Sequence, residues 1–186
     1  GMRAYGVDIS ADAVRCAKKN GVHTKRHDVS NGLPFPDGYF DFVFMGDVIE
    51  HVYDTEGLLC EARRVLKTHG YLIVSVPNIA SWYNRFFLLI GWMPTWIESS
   101  SKTFTGNRFI KEGVGHIHAF TCRSLSDLLR ITGFAVEDLK GSPIMGDGRH
   151  GPTQERIWNR VDSALSRFPG ISSTIIVKAR RMRKHL

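Results

Sequence analysis

The chain alternates short apolar runs with helical stretches, and most of the apolar runs stop at an acid, a glycine or a proline. That rhythm is the mark of a mostly parallel sheet with crossover helices, and it excludes an all-helical or all-strand fold. Arg3 to Ile9 (RAYGVDI) reads as a strand ending in an acid. Ser10 then caps a helix with Val14 and Ala17 on one face, and Gly21 lies just past its end. Val22 to Asp28 is a second short strand, followed by a turn-rich loop from Asn31 to Gly38 with two prolines. Phe40 to Met45 (FDFVFM) is almost continuously apolar, which predicts a strand covered on both faces. Thr55 to Lys67 places Leu58, Leu59, Ala62, Val65 and Leu66 at helical spacing, with Gly70 as the expected stop. Tyr71 to Val76 is the next strand, ended by Pro77.

After Asn78 the alternation breaks. Residues 79–118 mix an aromatic helix with a polar loop and keep no clean period. It then resumes. Ser124 and Asp127 form a capping box for a helix bearing Leu125, Leu128 and Leu129, stopped by Gly133. Phe134 to Leu139 is a strand, Thr153 to Phe168 a helix, and Ser173 to Ala179 a last strand. No repeat is visible. The expectation is one domain over 1–186, with 79–118 as an insertion and a basic tail over 180–186.

A length of 186 residues suits one sizeable core. Cys16, Cys60 and Cys122 are odd in number, far apart, and form no CxxC pair. A disulfide scaffold and a cysteine zinc site are therefore not expected, and a reducing, cytoplasmic setting is. No signal peptide opens the chain, because its first ten residues already read as a strand. The net charge of +7 draws on Lys178, Arg180, Arg181, Arg183 and Lys184, read as a solvated tail rather than a nucleic-acid patch. The most apolar stretch, Trp82 to Ile97, is interrupted by Asn84 and Arg85 and falls short of the about 20 residues a bilayer span needs.

In doubly wound sheets, ligands bind beyond the carboxyl ends of the strands. Asp8 stands at such an end, where an acid can accept both hydrogen bonds of a ribose diol. Asp28 ends the next strand, where a carboxylate can accept from an adenine amino group while Val29 offers its N–H. A strand-end aspartate also often just caps the turn that follows, so each alone carries two readings.

Five segments in order carry more weight: GVDIS at Gly6 to Ser10, HDV at His27 to Val29, LPFPDGYFDFV at Leu33 to Val43, GDVIEHV at Gly46 to Val52, and VLKTHGYL at Val65 to Leu72. This set resembles class I, Rossmann-like S-adenosylmethionine-dependent methyltransferases of the small-molecule type, close to the ubiquinone-pathway O-methyltransferases. The resemblance implies a mostly parallel α/β sheet with an antiparallel last strand and S-adenosylmethionine as cofactor. By position it makes Asp8 the ribose acid, Ile9 a packing surface for adenine, and Asp28 and Val29 the adenine-edge contacts. Met45 and Gly46 would lie along the methionine part through their backbone. The family's first strand and glycine-rich loop precede the segment that opens here, and that strand lies between the strands at Tyr5 and Phe42. Two versions follow: those two strands pair directly, or another chain, in a homo-oligomer, covers the unpaired edges.

The implied reaction is in-line attack of a substrate nucleophile, oxygen by family analogy, on a sulfonium methyl. His51, His116 and His118 are the candidate bases, His51 and His118 being the ones taken as catalytic, with His116 on the same side of an extended segment as His118. Each also has a plainer reading as a packing or surface histidine. In some ubiquinone-pathway relatives a Glu-x-x-Glu-His run holds magnesium; Asp47, Glu50 and His51 match it here, and the reading without a metal is preferred. The aromatic stretch at 82–97 would cover a small or lipid-like acceptor, with peripheral membrane contact left open, or simply close the core. The rival to an enzyme is a non-catalytic remnant of this fold that acts as a binding or oligomerisation module. Nucleic acid is not expected as a partner, because Gly46 to Ile49 (GDVI) lacks the Pro-Pro-aromatic grip for a flipped base.

Overall fold

A computed structural model describes residues 3–100, 102–103, 105–107, 115–144 and 152–183. Strands β1 (Tyr5–Asp8) and β2 (His23–Arg26) pair in parallel around helix α1 (Ala11–Lys19). Ser10 caps α1 by accepting from the Ala13 N–H at 3.3 Å, and Gly21 takes a left-handed φ of 81° past its end. A second sheet runs in the order β3 (Phe40–Gly46), β4 (Leu66–Pro77), β6 (Thr174–Arg181), β5 (Phe134–Ser142). Strand β3 is parallel to β4, while β6 runs antiparallel to both β4 and β5. The last strand is thus antiparallel, as the resemblance implies.

Among the described residues β1 does not hydrogen-bond to β3, so the direct-pairing version of the sheet is overturned. Side chains link the two sheets: the Tyr5 ring packs edge-on to Tyr39 and Phe40, and the Tyr39 hydroxyl donates to that of Tyr5 at 3.1 Å. Cover on both faces of β3 is overturned as well. Phe42 and Phe44, which share one face, are 48% and 63% exposed, while Met45 on the other is buried. The apolar run predicted cover because it is apolar; what stands against each face is a long-range matter.

Helix α2 (Thr55–Val65) ends five residues before Gly70, and β4 begins directly at Leu66. Gly70 is therefore not a helix stop. A Cβ there would lie 3.0 Å from the Lys67 carbonyl oxygen and 3.1 Å from that of Asp41, so glycine serves a close backbone approach between β4 and β3. Helix α4 (Cys122–Ile131) is capped one turn earlier than its leucine spacing indicates. Thr121 accepts from the Ser124 N–H at 3.2 Å, Ser124 accepts from the Thr121 N–H at 2.9 Å, and Asp127 instead pairs with Arg130. Leu58, Leu59 and Ala62 of α2 and Leu125 and Leu129 of α4 are buried in one core with Leu72, Val74, Ile175 and Val177 of the sheet. Burying each such leucine contributes about 1.5–3 kcal/mol.

Helix α3 (Trp82–Leu89) follows β4, and α5 (Pro152–Leu165) precedes β6. Tyr83 and Phe87 of α3 face inward, and Trp158 of α5 stacks on Trp82 and Tyr83. Phe86, Leu88 and Leu89 face outward. The basic residues begin inside β6 rather than in a tail: Lys178 and Arg180 pair with Glu137 of β5. Lys184 lies outside the described residues. Among the described residues no helix is long and apolar enough to cross a membrane.

Candidate active site

The ends of β1, β2 and β3 carry the residues singled out from the sequence. Asp8 closes β1 on the surface, where its Oδ1 accepts from the Ser10 N–H at 2.7 Å. Asp28 follows β2 and accepts from the Ser30 N–H at 2.9 Å, capping a short 3-10 turn over Val29–Asn31. Each therefore does cap its turn through one oxygen, and neither is drawn into the core. Ile9 is 63% exposed, and its carbonyl accepts from Arg26 Nε at 2.9 Å. Val29 packs against the core and also lines a shallow hollow with Gly57 and Leu58 of α2. Met45 is buried, and Gly46 ends β3. A Cβ on Gly46 would meet the tip of the exposed Phe44 ring at 2.7 Å, so a larger residue there would have to push that ring aside.

Asp47 takes a left-handed φ of 51°, and its N–H donates to the Ser75 carbonyl at 3.0 Å. That turn swings the chain into the 3-10 turn Ile49–His51. Glu50 is only 1% exposed, and beyond its own amide neither carboxylate oxygen has a hydrogen-bond partner among the described residues. Burial, with a smaller push from the Asp47 charge, raises its carboxyl to about 7. Its carbonyl accepts from the N–H groups of Ile117 at 2.8 Å and His118 at 3.1 Å. A parallel bridge between Asn78 and Phe120 holds the same returning segment beside the end of β4.

Through these contacts His51 and His116 meet. His51 Nδ1 lies 3.1 Å from the Gly115 carbonyl, and its ring centroid is 4.6 Å from that of His116. His116 is half-buried, its Nδ1 has no partner, and burial, followed by the charge of His51, lowers its pKa. His118 lies on the same side of the segment, with Nε2 3.1 Å from the Tyr53 carbonyl. A carbonyl only accepts, so Nδ1 of His51 and Nε2 of His118 carry protons. Glu50, His51 and His116 can each turn one ligand atom toward a common point, all within 4.8 Å of one another. Asp47, which the sequence sets beside Glu50 and His51, is not part of this group. His116 was beyond reach of a local motif, and only its alternation with His118 placed it on the right side.

Residues 1–74 match the family model described as a methyltransferase domain. A demethylmenaquinone methyltransferase of Listeria monocytogenes is 29% identical to 54% of this chain, which covers 52% of that protein. The chain spans about half the length of the first curated relatives it matches. A SAM-dependent methyltransferase of Methanosarcina mazei superposes with a TM-score of 0.64 at 20% identity, covering 97% of this chain and 82% of that one. One from Archaeoglobus fulgidus gives a TM-score of 0.61 at 18% identity over 97% of this chain and 77% of its own. At such identities these neighbours establish the fold: an α/β sheet of the class I methyltransferase type.

Proposed function

We propose, for a chain whose residues 1–74 match a methyltransferase-domain model, that the protein transfers a methyl group from S-adenosylmethionine to a small or lipid-like acceptor. The observation that carries the reading is the placement of Asp8 and Asp28. Asp8 is exposed at the end of β1, Asp28 is half-buried two residues past the end of the parallel β2, and each has one oxygen outside its cap. Asp8 then binds the ribose diol and Ile9 packs on adenine. Asp28 and the Val29 N–H hold the adenine edge, and Met45 and Gly46 pass along the methionine part by backbone alone.

Bound S-adenosylmethionine supplies an electrophilic sulfonium methyl. The chain's own work is positioning, together with removal of a proton where the acceptor is a hydroxyl. His51 and His118 are the proton acceptors in this reading, each with one ring nitrogen open. The name of the Listeria relative and the outward apolar side of α3 support a lipid-like acceptor, with oxygen as the methylated atom by family analogy.

Calorimetric titration with S-adenosylhomocysteine tests the cofactor half of the reading. Saturable binding that Asp8→Ala weakens at least tenfold is expected. A second reading, a non-catalytic module whose open β1 and β3 edges another chain fills, rests on the split sheet. No binding together with a concentration-dependent dimer would select it.

A further inference from the structure

We infer that Arg181 and Arg183, with Thr68, bind the phosphate group of a ligand at the end of the sheet opposite to Gly46. The place follows from the register. Tyr71 of β4 stands opposite Arg180 of the antiparallel β6, so β6 ends where β4 begins. Gly46 stands opposite Ser75, toward the other end of β4, so this is a second location and does not depend on the cofactor reading. Residues 67–70 of β4 face Asp41 alone in β3, and such a bulge re-aims the side chains it carries. Thr68 on that bulge lines a hollow of about 330 Å³ with Arg181, Met182 and Arg183. Pockets for small ligands run from about 300 to 1,000 Å³, so the occupant is small.

Charge sets this hollow apart. Neighbouring cations are matched: Lys67 by Asp41, Lys178 and Arg180 by Glu137, and Arg130 by Asp127. Strand alternation turns Arg181 to the face opposite Arg180 and Glu137, and among the described residues no carboxylate pairs with Arg181 or Arg183. Nη1 of Arg181 donates to the Leu66 carbonyl, which fixes the guanidinium without neutralising it. Arg63 of α2 brings a third unpaired guanidinium to the same strand end. Its Nη2 donates to the Met182 carbonyl at 3.3 Å, and its Nε is buried without a partner. Three cations gathered without a counter-charge repel one another, and a bound anion offsets that cost. Phosphate fits this donor set best. Guanidinium forks match its oxygens in pairs, and the Thr68 hydroxyl adds another donor; a simple carboxylate fills only one fork.

The test titrates the 186-residue chain calorimetrically with inorganic phosphate, and with acetate at matched ionic strength. Saturable phosphate binding in the millimolar range or tighter is expected, with no saturable acetate heat. Arg181→Gln and Arg183→Gln should each weaken phosphate at least tenfold, while Lys25→Gln, exposed on β2, leaves it unchanged. Should Arg181→Gln not fold once Leu66 loses its donor, Arg183→Gln decides alone, because its side chain is exposed. Co-sedimentation with phosphatidylcholine vesicles containing phosphatidic acid separates the sources of the phosphate. Pull-down that free phosphate reverses and Arg183→Gln abolishes identifies a lipid headgroup; phosphate heat without pull-down identifies a soluble phosphate. Absence of both would overturn the proposal, as would phosphate binding within twofold of wild type in Arg183→Gln or an equal response to acetate. Failure of S-adenosylhomocysteine to bind, with phosphate binding intact, would sink the cofactor reading and leave this one standing.

Discussion

Arg64 grips Glu61 one helical turn away, Nε to Oε1 at 2.7 Å and Nη2 to Oε2 at 2.8 Å, and the same guanidinium donates to the Leu33 and Phe35 carbonyls and to Asp37. Glu61 in turn accepts from the Leu33 N–H at 2.8 Å. One planar fork with several donors thus fastens the proline-rich loop that follows Asp28 and Val29 onto helix α2.

The Arg64 hydrogen bond holds the Glu61 carboxyl down at about 2 from an ordinary value of 4.5. A lowered folded-state pKa gives stability that is complete above the unfolded value. It is lost as pH falls from about 4.5 toward 2. Because the pair is partly exposed, we expect about 1–2 kcal/mol of acid-labile stability. Chemical denaturation at pH 7 and pH 3 measures it, and Glu61→Gln should flatten that difference.

Asp162 of α5 is fully buried, where it accepts from Trp82 Nε1 at 3.0 Å, Ser173 Oγ at 2.5 Å and the Ile144 N–H at 2.8 Å. It joins the insertion helix, α5 and the entry to β6. Asp162→Ala leaves the buried Ser173 hydroxyl and two half-buried N–H groups unmet, and a loss of about 3–5 kcal/mol is expected in urea melts. A loss below 1 kcal/mol would mean that water replaces the carboxylate.

Gly133 closes α4 with φ at 88°, and a Cβ there would sit 2.6 Å from Arg63 Nε. Gly133→Ala should cost about 1–2 kcal/mol from the left-handed backbone alone. Arg63 is long enough to swing aside, so Arg63→Ala in the same chain should recover little of it.

Leu89 is 83% exposed at the end of α3, beside Phe86 and Leu88 on the outward side. Leu89→Ser should change stability by less than about 0.5 kcal/mol, as surface substitutions do. If this side meets a lipid surface that carries the acceptor, the same substitution lowers co-sedimentation with anionic vesicles severalfold. Unchanged partition would leave the outward leucines without a membrane role.

For the proposed reaction, His118→Ala should lower kcat at least tenfold with KM for the cofactor little changed, since proton removal contributes about 10²–10⁴-fold. An unchanged kcat would return His118 to a packing role against Phe120, whose ring centroid is 6.5 Å away.

Local pattern was enough to order this chain. Apolar runs ending in Asp8, Asp28 and Gly46, the Ser10 cap and the leucine spacing of α2 and α4 are set by residues within a few positions of one another. They located the strands and put two carboxylates at neighbouring strand ends. Where the alternatives were both local, pattern was less decisive: Thr121 and Ser124 compete for the same cap, and the hydrogen bonds select Thr121. What each face meets was decided in three dimensions. The bare Phe42 and Phe44, the ion pairs of Lys178 and Arg180, and the meeting of His51 with a segment 64 residues further on all depend on contacts closed across long loops. No short-range periodicity encodes such closures, because their free energy comes from packing partners that sequence spacing does not name.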